Sequence, residues 1–226
     1  VAPDGYFNLD MYKTTRLKPS HAWEWNRRPL LTSAWICTGP VRLLAVNLDS
    51  TFRKEFVVCT PTDSKLKVVT FYLEEGSQTL VEGSAAQFDL GIPYDIAAGD
   101  FNGDGRDELI QIFLGESDNY SRQLALNRYD YDLSDRLYKP NSGTSSSIQN
   151  NQWPNWKRLK LTTGDFRNLG YDEAVFSYTL TSGNSGRQVF WYVYRLTGAD
   201  FMGLGAPFPG VSPEGWTWGE GWESAA

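Results

Sequence analysis

The chain has 226 residues, a net charge of −6 and a pI near 4.9, with 21 glycines, 11 prolines and aromatic residues at 15%. The acidic balance argues against nucleic acid and against anionic membrane surfaces as partners. No run of 18 apolar residues is present to cross a membrane, and the turn-rich, aromatic-rich composition favours many short strands.

Residues 1–40 read as an N-terminal segment that can supply strands for a partial repeat. It opens on Val1-Ala2-Pro3-Asp4-Gly5, with no basic stretch followed by an apolar core, so no signal peptide is expected there. It also holds His21-Ala22-Trp23-Glu24-Trp25-Asn26-Arg27-Arg28, a mixture of aromatic and basic side chains read as a solvated segment with Trp anchors, with a binding loop as the alternative. His21 is the only histidine, so any Ser-His-Asp or Cys-His arrangement would have to use it.

An apolar strand then enters at Val41-Arg42-Leu43-Leu44-Ala45, and a second leaves near Glu55. If these form a hairpin, Cys59 falls opposite about residue 43 by two-residue pairing. Cys37 is then offset, which leaves both a disulfide and two free thiols open. A third strand is expected over Leu66–Leu73.

The same order recurs from residue 94. Tyr94-Asp95-Ile96-Ala97-Ala98 enters, Leu109-Ile110-Gln111-Ile112-Phe113 leaves, and Gln123–Tyr131 follows. Between the first two lies Gly99-Asp100-Phe101-Asn102-Gly103-Asp104-Gly105-Arg106-Asp107-Glu108. Asp100, Asn102 and Asp104 place oxygens at alternate positions, Gly105 permits a sharp turn, and Glu108 adds a carboxylate at position nine. A hard cation such as calcium takes six to eight oxygens from a short flexible loop. Arg106 would contribute its backbone carbonyl, whereas Asp107 should point away, because neighbours on a strand face opposite sides. An EF-hand would need helical flanks and a carboxylate at position twelve, where this chain has Gln111. The bland alternative is a solvated Asn/Asp/Gly turn.

Asn119-Tyr120-Ser121 is an N-glycosylation tripeptide. The stretch 139–147, Lys-Pro-Asn-Ser-Gly-Thr-Ser-Ser-Ser, reads as a linker. A third round follows: Trp156–Leu161 enters, Gly164–Val175 aligns without gaps on Gly99–Ile110, and Gln188–Leu196 comes third. Arg167 and Leu169 replace two of the ligand positions, so this copy is not expected to hold a metal. A fainter copy at Val46–Val57 keeps Asn47, Asp49 and Glu55 at positions one, three and nine, with Phe52 in place of the turn glycine. Asn47 and Asp100 are 53 residues apart, and Asp100 and Asp165 are 65 apart. No convincing amphipathic helix appears.

Three or four strands per repeat of this length is the pattern of propeller blades. Asp-Phe-Asn-Gly-Asp-Gly-x-x-Glu after an Ala-Ala-Gly strand resembles the FG-GAP/VCBS repeat of integrin-type β-propellers, over residues 41–198. The resemblance implies an all-β fold of four-stranded antiparallel blades. It also implies calcium on the loop between the first two strands, held by Asp100, Asn102, Asp104, Arg106 and Glu108. Family members usually have Asp at position nine, so Glu108 is a departure. Only three repeats are distinct, whereas closed propellers have at least four. A fourth must come from residues 1–40 or the Gly/Trp-rich segment 199–226, from a longer ring, or from a second copy.

Tryptophan is frequent, nine in the chain. Trp216 and Trp218 near the C-terminus, and Trp153 and Trp156 between repeats, are the candidates for stacking on sugars or filling a partner's pocket. Packing between blades is the alternative. Paired carboxylates, Glu74 with Glu75 and Asp130 with Asp132, could serve glycoside hydrolysis, but acidic turns contain such pairs routinely. The expectation is therefore an extracellular, non-catalytic module recognising a glycan or protein ligand. The alternatives are an assembly unit of a surface fibre or larger particle, with homo-oligomers included, and a polysaccharide-cleaving enzyme.

Overall fold

A computed structural model describes residues 6–15, 24–36, 39–51, 55–62, 64–73, 80–91, 94–115, 123–141, 146–148, 156–181, 187–197, 200–203 and 208–209. Every element among them is a strand. β1 (Tyr6–Thr15) and β2 (Glu24–Ile36) form an antiparallel hairpin. Three larger antiparallel sheets follow, each a meander in which consecutive strands pair.

The first sheet runs β3 (Arg42–Val46), β4 (Glu55–Thr62), β5 (Lys65–Leu73), β6 (Leu80–Asp89). The second runs β7 (Tyr94–Gly99), β8 (Glu108–Gly115), β9 (Gln123–Asp132), β10 (Leu137–Pro140), with β11 (Ser146–Ile148) also on β9. The third runs β12 (Trp156–Gly164), β13 (Glu173–Thr181), β14 (Arg187–Thr197), β15 (Asp200–Gly203), with β16 (Phe208–Pro209) also on β14. All-β architecture in four-stranded antiparallel sheets is thus observed. Short connections make this order the easy one, because a tight turn can only return an antiparallel neighbour.

The repeat alignment is reproduced in the ladders. Val46 pairs with Glu55, Gly99 with Glu108, and Gly164 with Glu173. In each sheet the residue before position one therefore sits opposite position nine. Cys59 pairs with Arg42, one residue from the expected partner, and its thiol is free and buried. Cys37 lies outside the described residues, as do Glu74, Glu75, His21 and Asn119. The expected linker at 139–147 is corrected: Lys139 and Pro140 end β10, and Ser146 and Ser147 begin β11. Proline is tolerated there because, among the described residues, β10 has no strand beyond it to receive its missing N–H.

β4 and β5 carry apolar β-branched and aromatic residues on both faces, and both faces are buried. Val57, Cys59, Leu66 and Val68 join Ile96, Leu109, Tyr129 and Tyr138 of the second sheet in one core. Val58, Val69, Phe71 and Leu80 form a separate cluster. Phe88 stacks on Tyr129 across the first junction, with ring centroids 3.7 Å apart. Tyr129 also donates its hydroxyl proton to buried Gln111 Oε1 at 2.5 Å, and Gln111 Nε2 donates to the Asp89 carbonyl at 3.0 Å. The Tyr129 hydroxyl and both amide atoms of Gln111 are thereby paired, as burial demands.

Candidate functional site

Three loops join the first two strands of each sheet, and where the first is described, over residues 47–51, it turns at the same position as the other two. Position four is left-handed in all of them: Ser50 has φ 62°, Gly103 75° and Asn168 57°. Position six is left-handed at Gly105 (82°) and Gly170 (79°). Glycine takes this conformation without the penalty a side chain brings, which explains its recurrence at position six.

The position-one carboxylate organises the second and third loops from within. Asp100 Oδ1 accepts from the N–H groups of Gly103 (2.7 Å) and Asp104 (3.1 Å), and Oδ2 accepts from Gly105 (2.8 Å). Asp165 repeats this with Leu169 (2.7 Å) and Gly170 (2.9 Å), and these bonds hold its carboxyl below the usual range. Asn102 Oδ1 accepts from Asp104 N–H (2.8 Å), matched by Asp49 and Thr51 N–H (2.9 Å) in the first loop.

Glu108 closes the second loop from the strand side. It is buried, accepts from Phe101 N–H at 2.9 Å and from Asn102 Nδ2 at 2.8 Å, and faces Arg128 Nη2 at 3.6 Å. Burial pushes its carboxyl up to about 8, against the pull of Arg128 and the Phe101 N–H. Arg128 is shared with Asp130, 2.6 Å from its Nε, so it compensates Glu108 only in part. Asp104 turns outward: its carboxylate accepts from Arg106 N–H (2.9 Å) and Nη2 (2.7 Å). Burial opposes its ionisation, but the Arg106 bonds outweigh that and keep it below its usual range.

The donor chemistry of Asp100, Asn102, Asp104, the Arg106 carbonyl and Glu108 fits a hard cation, and buried, under-compensated Glu108 is the group that gains most from one. The side chains are arranged otherwise. They are engaged by the loop's own N–H groups and by Arg106 and Arg128, and no three acidic, histidine or cysteine side chains among the described residues converge on a metal position. Cation binding requires Asp104 to turn away from Arg106. In the first loop Glu55 accepts from Leu48 N–H at 3.1 Å, while the buried Asn47 Oδ1 has no hydrogen-bond partner among the described residues.

The third loop solves the position-nine problem differently. Glu173 is fully buried, and Arg167 at position three reaches it. Arg167 Nε donates to Oε2 at 3.0 Å, and Nη2 makes an ion-pair contact with Oε1 that lacks good hydrogen-bond geometry. A guanidinium thus supplies the positive charge for this carboxylate.

Position eight holds residues whose role the sequence did not disclose. Asp107 points away from the loop, as expected, and docks on the first sheet: its N–H donates to the Asn47 carbonyl (2.7 Å) and its Oδ2 accepts from Asn47 N–H (2.8 Å). Asp172 does the same to Asp100, at 2.7 and 3.0 Å. The same two-bond clamp therefore joins first to second sheet and second to third. Tyr138 Oη donates to the Asp107 carbonyl at 3.1 Å. Gly99 is required beside the second clamp, since a Cβ there would lie 2.7 Å from Asp172 Oδ2. The repeated Asp-Glu at positions eight and nine was the available signal.

Among the other candidates, Asp130 is held by Arg128 and by Asn141 Nδ2 (2.6 Å), and Asp132 by Ser134 and Lys139. Each carboxylate of that pair is thus engaged locally. Trp156 starts β12 opposite Leu180, and nothing is described of its side chain. Trp153, Trp216 and Trp218 lie outside the described residues. Comparison with protein-family models and with curated proteins finds no match to this sequence.

Proposed function

We propose that the chain is a calcium-stabilised β-propeller module of FG-GAP/VCBS type, acting outside the cell in recognition of a glycan or protein rather than in catalysis. The observation that carries this reading is the loop repeated in the same register at the same corner of three stacked four-stranded sheets. Such a loop at 100–108 offers five oxygens, three of them from carboxylates, within one turn. Calcium would supply a fixed double charge to Asp100, Asp104 and Glu108, and so tie β7 to β8. Its role is stability, since a ligand held only by the folded state adds RT ln(1 + [L]/Kd), about 2.7 kcal/mol at a hundredfold excess over Kd.

Differential scanning fluorimetry tests the metal. EDTA is expected to lower the melting temperature, and Asp104→Ala is expected to melt like wild type in EDTA and to ignore added calcium. Identical curves for all four combinations of protein and chelator would remove calcium from the reading. A glycan array in calcium and in EDTA tests recognition, with calcium-dependent binding expected.

One observation favours a second reading, the assembly unit. Position two is buried in the first two loops, at Leu48 (3% exposed) and Phe101 (2%), but Phe166 is 53% exposed and Leu169 is 45% exposed. The loop edge of the third sheet is open where its predecessors are covered. Light scattering distinguishes the readings: oligomers that dissociate on Phe166→Asp would favour assembly, and a monomer would remove the homo-oligomeric form of it.

A further inference from the structure

The first strands of the three sheets, β3, β7 and β12, converge on a cavity of about 450 Å³, within the size range of small-molecule sites. Arg42, Asp95 and Lys160 all line it, and each lies five residues before position one of its own loop. The cavity is therefore ringed at one level by a cation, an anion and a cation, one from each sheet.

The charges are not equivalent. Asp95 is buried and consumed from both sides: Oδ1 meets Arg42 Nη2 at 2.9 Å, and Oδ2 accepts from Leu161 N–H at 2.9 Å. That one carboxylate links all three sheets. Lys160 has no salt-bridge partner among the described residues. The Arg42 side chain stays 41% exposed, so donors beyond the one on Asp95 remain open to a ligand. One negative charge is thus spent internally while a positive excess faces the cavity. The same wall carries Thr162, an exposed residue with a hydroxyl to offer, and Leu43, 47% exposed. Cations, a hydroxyl and an apolar surface together suit a ligand with a carboxylate at one end and a hydroxylated ring behind it.

We propose that this cavity binds a single acidic sugar, with Lys160 and Arg42 on its carboxylate and Thr162 on a ring hydroxyl. The ligand class rests on the recognition reading above, and the site is separate from the loop at 100–108. Lys160 acts as a point charge that can follow the carboxylate, whereas Arg42 is oriented by Asp95.

The test is calorimetric titration of the intact protein with sodium glucuronate, glucose and sodium acetate, each in calcium and in EDTA. Saturable glucuronate binding is expected at millimolar concentration or below, with none for glucose and weaker binding for acetate. Lys160→Gln is expected to weaken glucuronate at least tenfold with an unchanged melting temperature, and Lys160→Arg to retain it. Should Lys160→Gln fail to fold, Thr162→Val provides the second variant, with a several-fold loss expected. Absence of glucuronate binding, equal binding by Lys160→Gln, or acetate matching glucuronate would each overturn the proposal. Array binding confined to neutral glycans, without glucuronate binding, would sink the cavity and leave recognition standing. Glucuronate binding without any array signal would support the cavity and count against a glycan-polymer ligand.

Discussion

Arg167 stands where the second loop has Asn102, and it changes what Glu173 needs. A buried carboxylate costs several kcal/mol unless it is compensated, and the guanidinium provides that compensation from inside the chain. Arg167→Met should therefore lower the urea midpoint, though by less than for a fully enclosed pair because the arginine side chain is 44% exposed. Adding Glu173→Gln to that variant should recover part of the loss, because the charge left behind is gone. No recovery would mean that the pair's charge is not what matters. Gly99→Ala tests a different constraint. Its new Cβ would press on Asp172 Oδ2, and a loss of roughly 1–3 kcal/mol is expected from overpacking.

At the scale of elements, the unit is a strand pair, its loop, and the clamp to the next sheet. Asp107→Ala and Asp172→Ala each remove a carboxylate that accepts a backbone N–H in a tight junction. Each should cost about 1.5–3 kcal/mol, the range for hydrogen bonds to charged groups. The two losses should add within about 0.5 kcal/mol, because the clamps share no partner. Strong non-additivity in the double variant would show that the junctions are coupled. Much of this level was legible beforehand. Apolar runs located the first three strands of each sheet, and the Gly-Asp-Phe and Asp-Glu matches fixed the register of the loops. The outermost strands were not legible. Lys139-Pro140 and Ser146–Ile148 have the composition of a turn, and they are strands because β9 offers them an unpaired edge. The clamp was hidden for a related reason. An aspartate at position eight looks solvated until another sheet is placed against it, and the Arg42–Asp95–Leu161 link has partners from three separate sheets.

Across the whole molecule, burial of the position-two side chain records which loops have a neighbour. Phe101→Ala should cost about 3–5 kcal/mol, as for a phenylalanine removed from a core. Phe166→Ala should stay within about 0.5 kcal/mol, as for a surface position. Equal effects would mean that the third loop edge is covered in solution. The clamp itself has a further consequence. It grips position one only by its backbone N–H and carbonyl, so Asn47 and Asp100 serve equally well as the residue gripped. The side chain at that position is left out of the contract between sheets. A repeat can therefore change its position-one side chain, and with it any cation chemistry of the kind proposed, by ordinary substitution and still keep its place in the row. Ion binding and stacking can then drift apart over evolutionary time, and the third loop, with an arginine where an ion ligand would stand, has the form such drift would leave.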